Sequence, residues 1–158
     1  MNSGKTARVR LLVLPVLLAG LLTGCGALFG SDSTRYADLE AGDCYTNPNP
    51  GSGTEEEQIV EVDLIPCDEP HQQEVYHVTE MPDGDYPGQD TLATKASDIC
   101  ATEFEGYVGS ALEETELLAG YIIPTQESWD QEGDQAIMCT LGDTSSDEVS
   151  ESHKDSGL

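Results

Sequence analysis

His71, Glu74 and His77 stand at intervals of three, and imidazole and carboxylate groups at short spacing can bind zinc or share a proton. On a helix that spacing would gather all three on one face. The intervening Val75, Tyr76, Val78 and Thr79 favour a strand instead, where offsets of three alternate between faces. The expected arrangement is therefore a turn closed by Pro70-His71 with His71 bonded locally, Glu74 at the strand entrance and His77 on the exposed side. A His71–Glu74 contact would then form a recognition edge, or an acid–base pair if the chain were a hydrolase. Trp129, the only tryptophan, is either a core side chain or an exposed anchor for peptide or glycan. Glu55, Glu56 and Glu57 resemble half of a calcium loop but lack the Asp-x-Asp-x-Asp-Gly run and closing Glu, so a solvated loop is expected. No Gly-x-Ser-x-Gly elbow supplies a nucleophile. Recognition is expected rather than turnover, with no metal and no cofactor.

Cysteine is the other reactive type. Cys25 ends the run Leu22-Thr23-Gly24-Cys25, which follows basic Lys5, Arg8 and Arg10 and an apolar stretch from Leu11 to Leu22. That stretch is too short to span a bilayer as a helix and reads as an export signal over residues 1–24. Small residues directly before a cysteine look like a bacterial lipobox. The resemblance implies that Cys25 becomes the first residue of the exported protein and carries a diacylglycerol, palmitate among its chains. Two acyl chains make a stable anchor, since each buried methylene contributes roughly 0.8 kcal/mol. The chain is accordingly expected outside the cell, lipid-anchored to the outer leaflet of the cell membrane.

The remaining Cys44, Cys67, Cys100 and Cys139 are an even set in an exported chain and read as two disulfides. Intervals of 22, 32 and 38 residues contain no C-x-x-C pair, which argues against a tetrathiolate zinc site or a redox motif. Three pairings are open. Cys44–Cys67 with Cys100–Cys139 is favoured because each bridge then brackets its own half of the domain.

Charge bounds the partners. The 158 residues carry a formal charge of −25; three basic and 31 acidic residues lie after Cys25, which makes −28 beyond the signal. Such a field repels nucleic acid and anionic headgroups and favours cations or basic partners. Nucleic acid is excluded as a partner. An envelope protein or a cell-wall component is expected, with a cation-dependent binding module as the alternative and a small wall hydrolase using His71 and Glu74 as a lesser one.

Residues 25–38 are small and polar and read as a flexible tether, and the folded domain is expected over 39–142. Val60, Val62 and Leu64 alternate with Glu61 and Asp63 as in a half-buried strand; Glu74 to Glu80 repeats the β-rich composition, suiting an antiparallel pair. A helix is expected to start at Asp90 or Thr91, with Leu92, Ala96, Ile99, Cys100, Phe104 and Tyr107 as its apolar stripe and Gly106 and Gly109 at its end. Leu112–Leu118 reads as a short helical segment, Tyr121–Pro124 as a buried strand and Ala136–Leu141 as the last strand. The fold class is α+β: a small antiparallel sheet with one long helix and short helical segments, stapled by two disulfides. Residues 143–158 hold only Val149 and Leu158 as large apolar groups and are expected to be a disordered acidic tail.

Gly42-Asp43-Cys44, Pro66-Cys67-Asp68-Glu69-Pro70-His71 with Glu74-Val75, a helix cysteine, Pro124 with Ser128-Trp129, Gly133-Asp134 and a final strand cysteine occur in that order. Together they resemble the septum-formation domain found in lipoproteins and membrane proteins of high-GC Gram-positive bacteria, over about Leu39 to Leu141. The resemblance implies a cell-envelope role linked to division and supplies no catalytic residues. Gln135 departs from the basic residue expected after Gly-Asp.

Overall fold

The computed structural model describes residues 33–46, 61–143 and 148–158. The export signal, Cys25, most of the tether and Glu55 to Glu57 lie outside the described residues.

Among the described residues, six strands form one antiparallel sheet: β1 Ser33–Arg35, β2 Cys44–Thr46, β3 Glu61–Ile65, β4 Gln73–Glu80, β5 Leu117–Ile122 and β6 Ala136–Asp143. Their spatial order is β1-β3-β2-β4-β6-β5. In β3 the alternation is realised, with Val62 buried between exposed Glu61 and Asp63. β6 is paired on both sides and is buried along almost its whole length, its one charged residue, Asp143, standing at the end.

The helix α1, Gln89–Val108, covers one face through Leu92, Ala96, Cys100, Phe104 and Val108, a ladder of four-residue steps. It begins a residue before the expected cap, after Gly88, and stops at Gly109. There a φ of +90° suits glycine, and the Gly109 N–H donates to the Glu105 carbonyl at 2.9 Å. Phe104 and Val108 pack with Tyr76, Leu117, Cys139 and Leu141 on the helix side. Leu39, Tyr45, Val62, Val75 and Met138 form a second cluster, and Leu92, Ala96, Trp129 and Ile137 a third.

Both bridges take the favoured pairing. Cys44–Cys67 ties β2 to the turn before β4, and Cys100–Cys139 pins β6 to α1.

Four expectations change. The fold starts before residue 39, because Ser33–Arg35, expected in the tether, pairs with β3 as β1 and Tyr36–Asp38 forms a 3-10 turn. Leu112–Glu114 is a single 3-10 turn, and the strand after it is β5, earlier than expected and at the sheet edge. Pro124 has no N–H to donate to a ladder, so the chain leaves the sheet before it. Ile123 packs instead beside the Trp129 cluster. His77 is not on an exposed side, because the β4–β6 register shifts between Val75 and His77. The irregularity resets the alternation: His77 stands opposite Cys139, and its Nδ1 lies 3.6 Å from Glu103 Oε2 on α1. Finally, the tail is ordered over its described part. Residues 148–158 return to the domain, where Val149 and His71 exchange backbone N–H···O bonds of 2.9 Å each way. Apolar content predicted disorder, whereas the docking is made by polar and backbone groups.

Replacing Cys100 and Cys139 by alanine should lower the unfolding free energy by roughly 4 kcal/mol, and Cys44 with Cys67 by roughly 3, on the chain-entropy relation for loops of these lengths. Urea unfolding of the two double variants checks both, and an unchanged midpoint in either would show its bridge to be dispensable.

Candidate functional site

His71 and Glu74, singled out in the sequence, lie at the beginning of β4, but inside the molecule. Glu74 is 1% exposed. Its Oε1 accepts hydrogen bonds from the Tyr107 hydroxyl and the Ser152 hydroxyl, both at 2.6 Å, and Oε2 accepts from the His153 backbone N–H at 2.8 Å. One donor comes from the last turn of α1 and two from the returning tail. A strand residue opposite Leu141 must point toward the helix, which is where Tyr107 waits.

His71 is buried as well. Its Nδ1 lies 2.8 Å from the Glu69 carbonyl, and because a carbonyl only accepts, Nδ1 carries the proton of that bond. The local bond expected for His71 is thus present, while its Nε2 is buried without a partner. No His71–Glu74 hydrogen bond forms; each side chain is committed elsewhere. His153, 3% exposed, buries both ring nitrogens without hydrogen-bond partners.

Trp129 is a core side chain. It is 5% exposed, its Nε1–H donates to the Gly84 carbonyl at 2.8 Å, and the Tyr86 ring meets it edge-on at 5.8 Å. None of His71, Glu74 and Trp129 therefore offers the surface that a recognition edge or an exposed anchor requires.

A carboxylate oxygen of Glu74 and the sulfurs of Cys44 and Cys67 lie within 4.8 Å of one another. Those sulfurs are joined in a disulfide, so they present no thiolate to a metal ion.

The tail also completes the end of α1. The Asp155 and Gly157 N–H groups donate to the Tyr107 and Val108 carbonyls at 2.8 Å each, filling acceptors that a helix end leaves open. Lys154 places its ammonium 6.0 Å from the Tyr107 ring centre, a cation where the helix dipole favours one. Burial, followed by the hydrogen bond to Glu74 and its charge, holds the Tyr107 phenol above its ordinary range. Burial and then Glu103 push Tyr76 up to about 12; its hydroxyl donates to the Cys100 carbonyl at 2.8 Å. Burial, with Tyr36 at its edge, raises Tyr45.

Tyr107 was visible in the sequence as part of the helix stripe, but Ser152 and His153 were not. Their only signal is a Ser-His pair in an otherwise acidic, small-residue tail.

At another edge of the domain, a cleft of about 110 Å³ is lined by Arg35, Asp38, Glu80, Glu132, Asp134 and Gln135 among others. Arg35 bonds both Asp38 oxygens, at 2.9 and 3.0 Å, and the hydrogen bond to Asp38 holds its guanidinium above its ordinary range, with smaller contributions from Glu132 and Asp134. A basic group thus stands near Gly133-Asp134 although position 135 is glutamine.

A family model described as Septum formation matches residues 31–139, more than half of the chain. The docked tail lies beyond the matched span. No curated protein and no solved structure matches the chain.

Ending the chain after residue 147 removes two of Glu74's three donors and should cost at least about 2 kcal/mol, because a buried charged group loses hydrogen bonds. Glu74→Leu in the truncated chain should recover part of that loss, since an apolar group needs no donors; urea unfolding of the three forms decides. Phenols raised in the folded state keep their protons after the unfolded chain, titrating near ~10, has lost its own. Stability present below that pH should fall as pH rises above it. Tyr107→Phe should flatten the fall, as read by thermal unfolding alongside phenolate absorbance.

Proposed function

The chain belongs to the septum-formation family, and from that premise we propose that it is a lipid-anchored recognition protein of the cell envelope, acting outside the membrane in septum formation or wall assembly. The observation that carries recognition over turnover is the state of His71 and Glu74. Glu74 accepts three internal hydrogen bonds and His71 is tied to its own turn, so the two residues that would run acid–base chemistry hold the domain together instead. A general base must reach the proton it takes, and both groups are buried.

Two disulfides suit an oxidising compartment outside the cytoplasm. The Leu11–Leu22 export pattern and Cys25 supply a route there and an anchor. A charge of −28 after Cys25 directs the domain toward basic protein partners and away from nucleic acid.

Cys25→Ser should move the protein from the membrane to the soluble fraction and abolish labelling by palmitate; retention of both would remove the anchor from this reading. Crosslinking in intact cells followed by affinity capture and mass spectrometry should enrich one division or wall-synthesis protein. Enrichment of none, together with cleavage of wall fragments that is lost in His71→Ala and Glu74→Ala, would replace recognition by hydrolysis.

A further inference from the structure

β5 pairs with β6 along one side, and along the other it has no strand partner among the described residues. Free sheet edges are ordinarily blunted with charges, prolines or bulges because their open N–H and C=O groups accept any passing strand. Leu117-Leu118-Ala119-Gly120-Tyr121-Ile122 has none of these in a chain with 31 acidic residues. Its Leu118 and Tyr121 are 58% and 43% exposed. Tyr121 stands opposite Cys139, whose bridge reaches α1, so it lies on the helix side of the sheet. Leu118, an odd step away, lies on the other. A strand laid along this edge would meet one apolar side chain on each face, while buried Leu117 holds β5 in place.

The charge beside the edge selects the occupant. Exposed Glu113, Glu114 and Glu116 lead directly into β5. A second copy of this chain would bring the same three carboxylates and the same excess of negative charge, which repel at close approach. We propose that the free edge of β5 takes up an extended segment of a basic envelope protein as an additional strand. The alternate apolar side chains of that segment rest on Leu118 and Tyr121, and its lysines or arginines face Glu113, Glu114 and Glu116. Main-chain bonds supply affinity in this mode and the side chains supply selectivity. The proposal rests on the recognition reading above and names the surface and partner chemistry for it.

The test uses the full chain and a fluorescent synthetic peptide of alternating valine and lysine, followed by anisotropy and by hydrogen exchange. Binding should slow exchange in residues 117–122. Leu118→Ser with Tyr121→Ser should weaken binding at least about tenfold, with thermal unfolding unchanged because both side chains are exposed. Glu113→Gln with Glu114→Gln and Glu116→Gln should weaken it and reduce its salt dependence. An absence of binding, equal binding of the peptide N-methylated at alternate residues, or indifference to the serine pair would each overturn the proposal. So would sedimentation showing a wild-type dimer that the serine pair dissociates, since the occupant would then be a second copy. The same serine pair in the cellular capture separates the two readings. A division protein captured equally by wild type and variant leaves recognition standing and sinks this surface, whereas a wild type that captures nothing sinks recognition itself.

Discussion

A carboxylate removed from water must have its hydration replaced by hydrogen bonds or the fold bears the cost, and Glu74 imposes that condition on this domain. Tyr107 satisfies part of it from α1, and Ser152 and His153 satisfy the rest from the far end of the chain. The condition therefore joins three pieces distant in sequence: the start of β4, the last turn of the helix and the returning tail. Once Ser152 and His153 are held there, the backbone beyond them reaches the open carbonyls of Tyr107 and Val108. The helix end and the buried acid are thus completed by one segment.

The irregularity in β4 serves the same arrangement. Glu74 and His77 both address the helix side, although a regular strand would separate them, and Tyr76 between them reaches the Cys100 carbonyl. The Cys100–Cys139 bridge ties that stretch of α1 to β6, so helix and central strands are fixed at the level where these polar contacts form. Polar groups and sulfur do here what a larger apolar core does in bigger domains.

Because the polar centre is engaged internally, the proposed recognition draws on two other features: a large excess of carboxylates and, among the described residues, an uncharged edge strand. Charge acts at a distance and selects the sign of a partner, whereas an open strand edge acts at contact and selects its conformation. Membership of the septum-formation family links the chain to septum formation.

Hydrophobic periodicity and cysteine count were enough to foresee the α+β class, α1, β3, β4, β6 and the bridges, because these depend on local pattern and on the few ways four cysteines can pair. The same patterns misplaced β5, since which apolar run pairs at an edge depends on register with β6 and on Pro124, not on composition alone. They also left open a His71–Glu74 recognition edge and an exposed Trp129, because type and spacing do not report burial. The tail was read as disordered for a related reason: composition counts apolar groups, but the Ser152 hydroxyl and the backbone N–H groups of His153, Asp155 and Gly157 are held by acceptors made elsewhere. Sequence alone determined α1, β3, β4 and β6, the reading of four cysteines as two bridges, and the sign of the charge. Only tertiary structure decided that Glu74 is a buried acceptor and that β5 is an edge strand among the described residues, because both depend on which distant segments come to lie beside them.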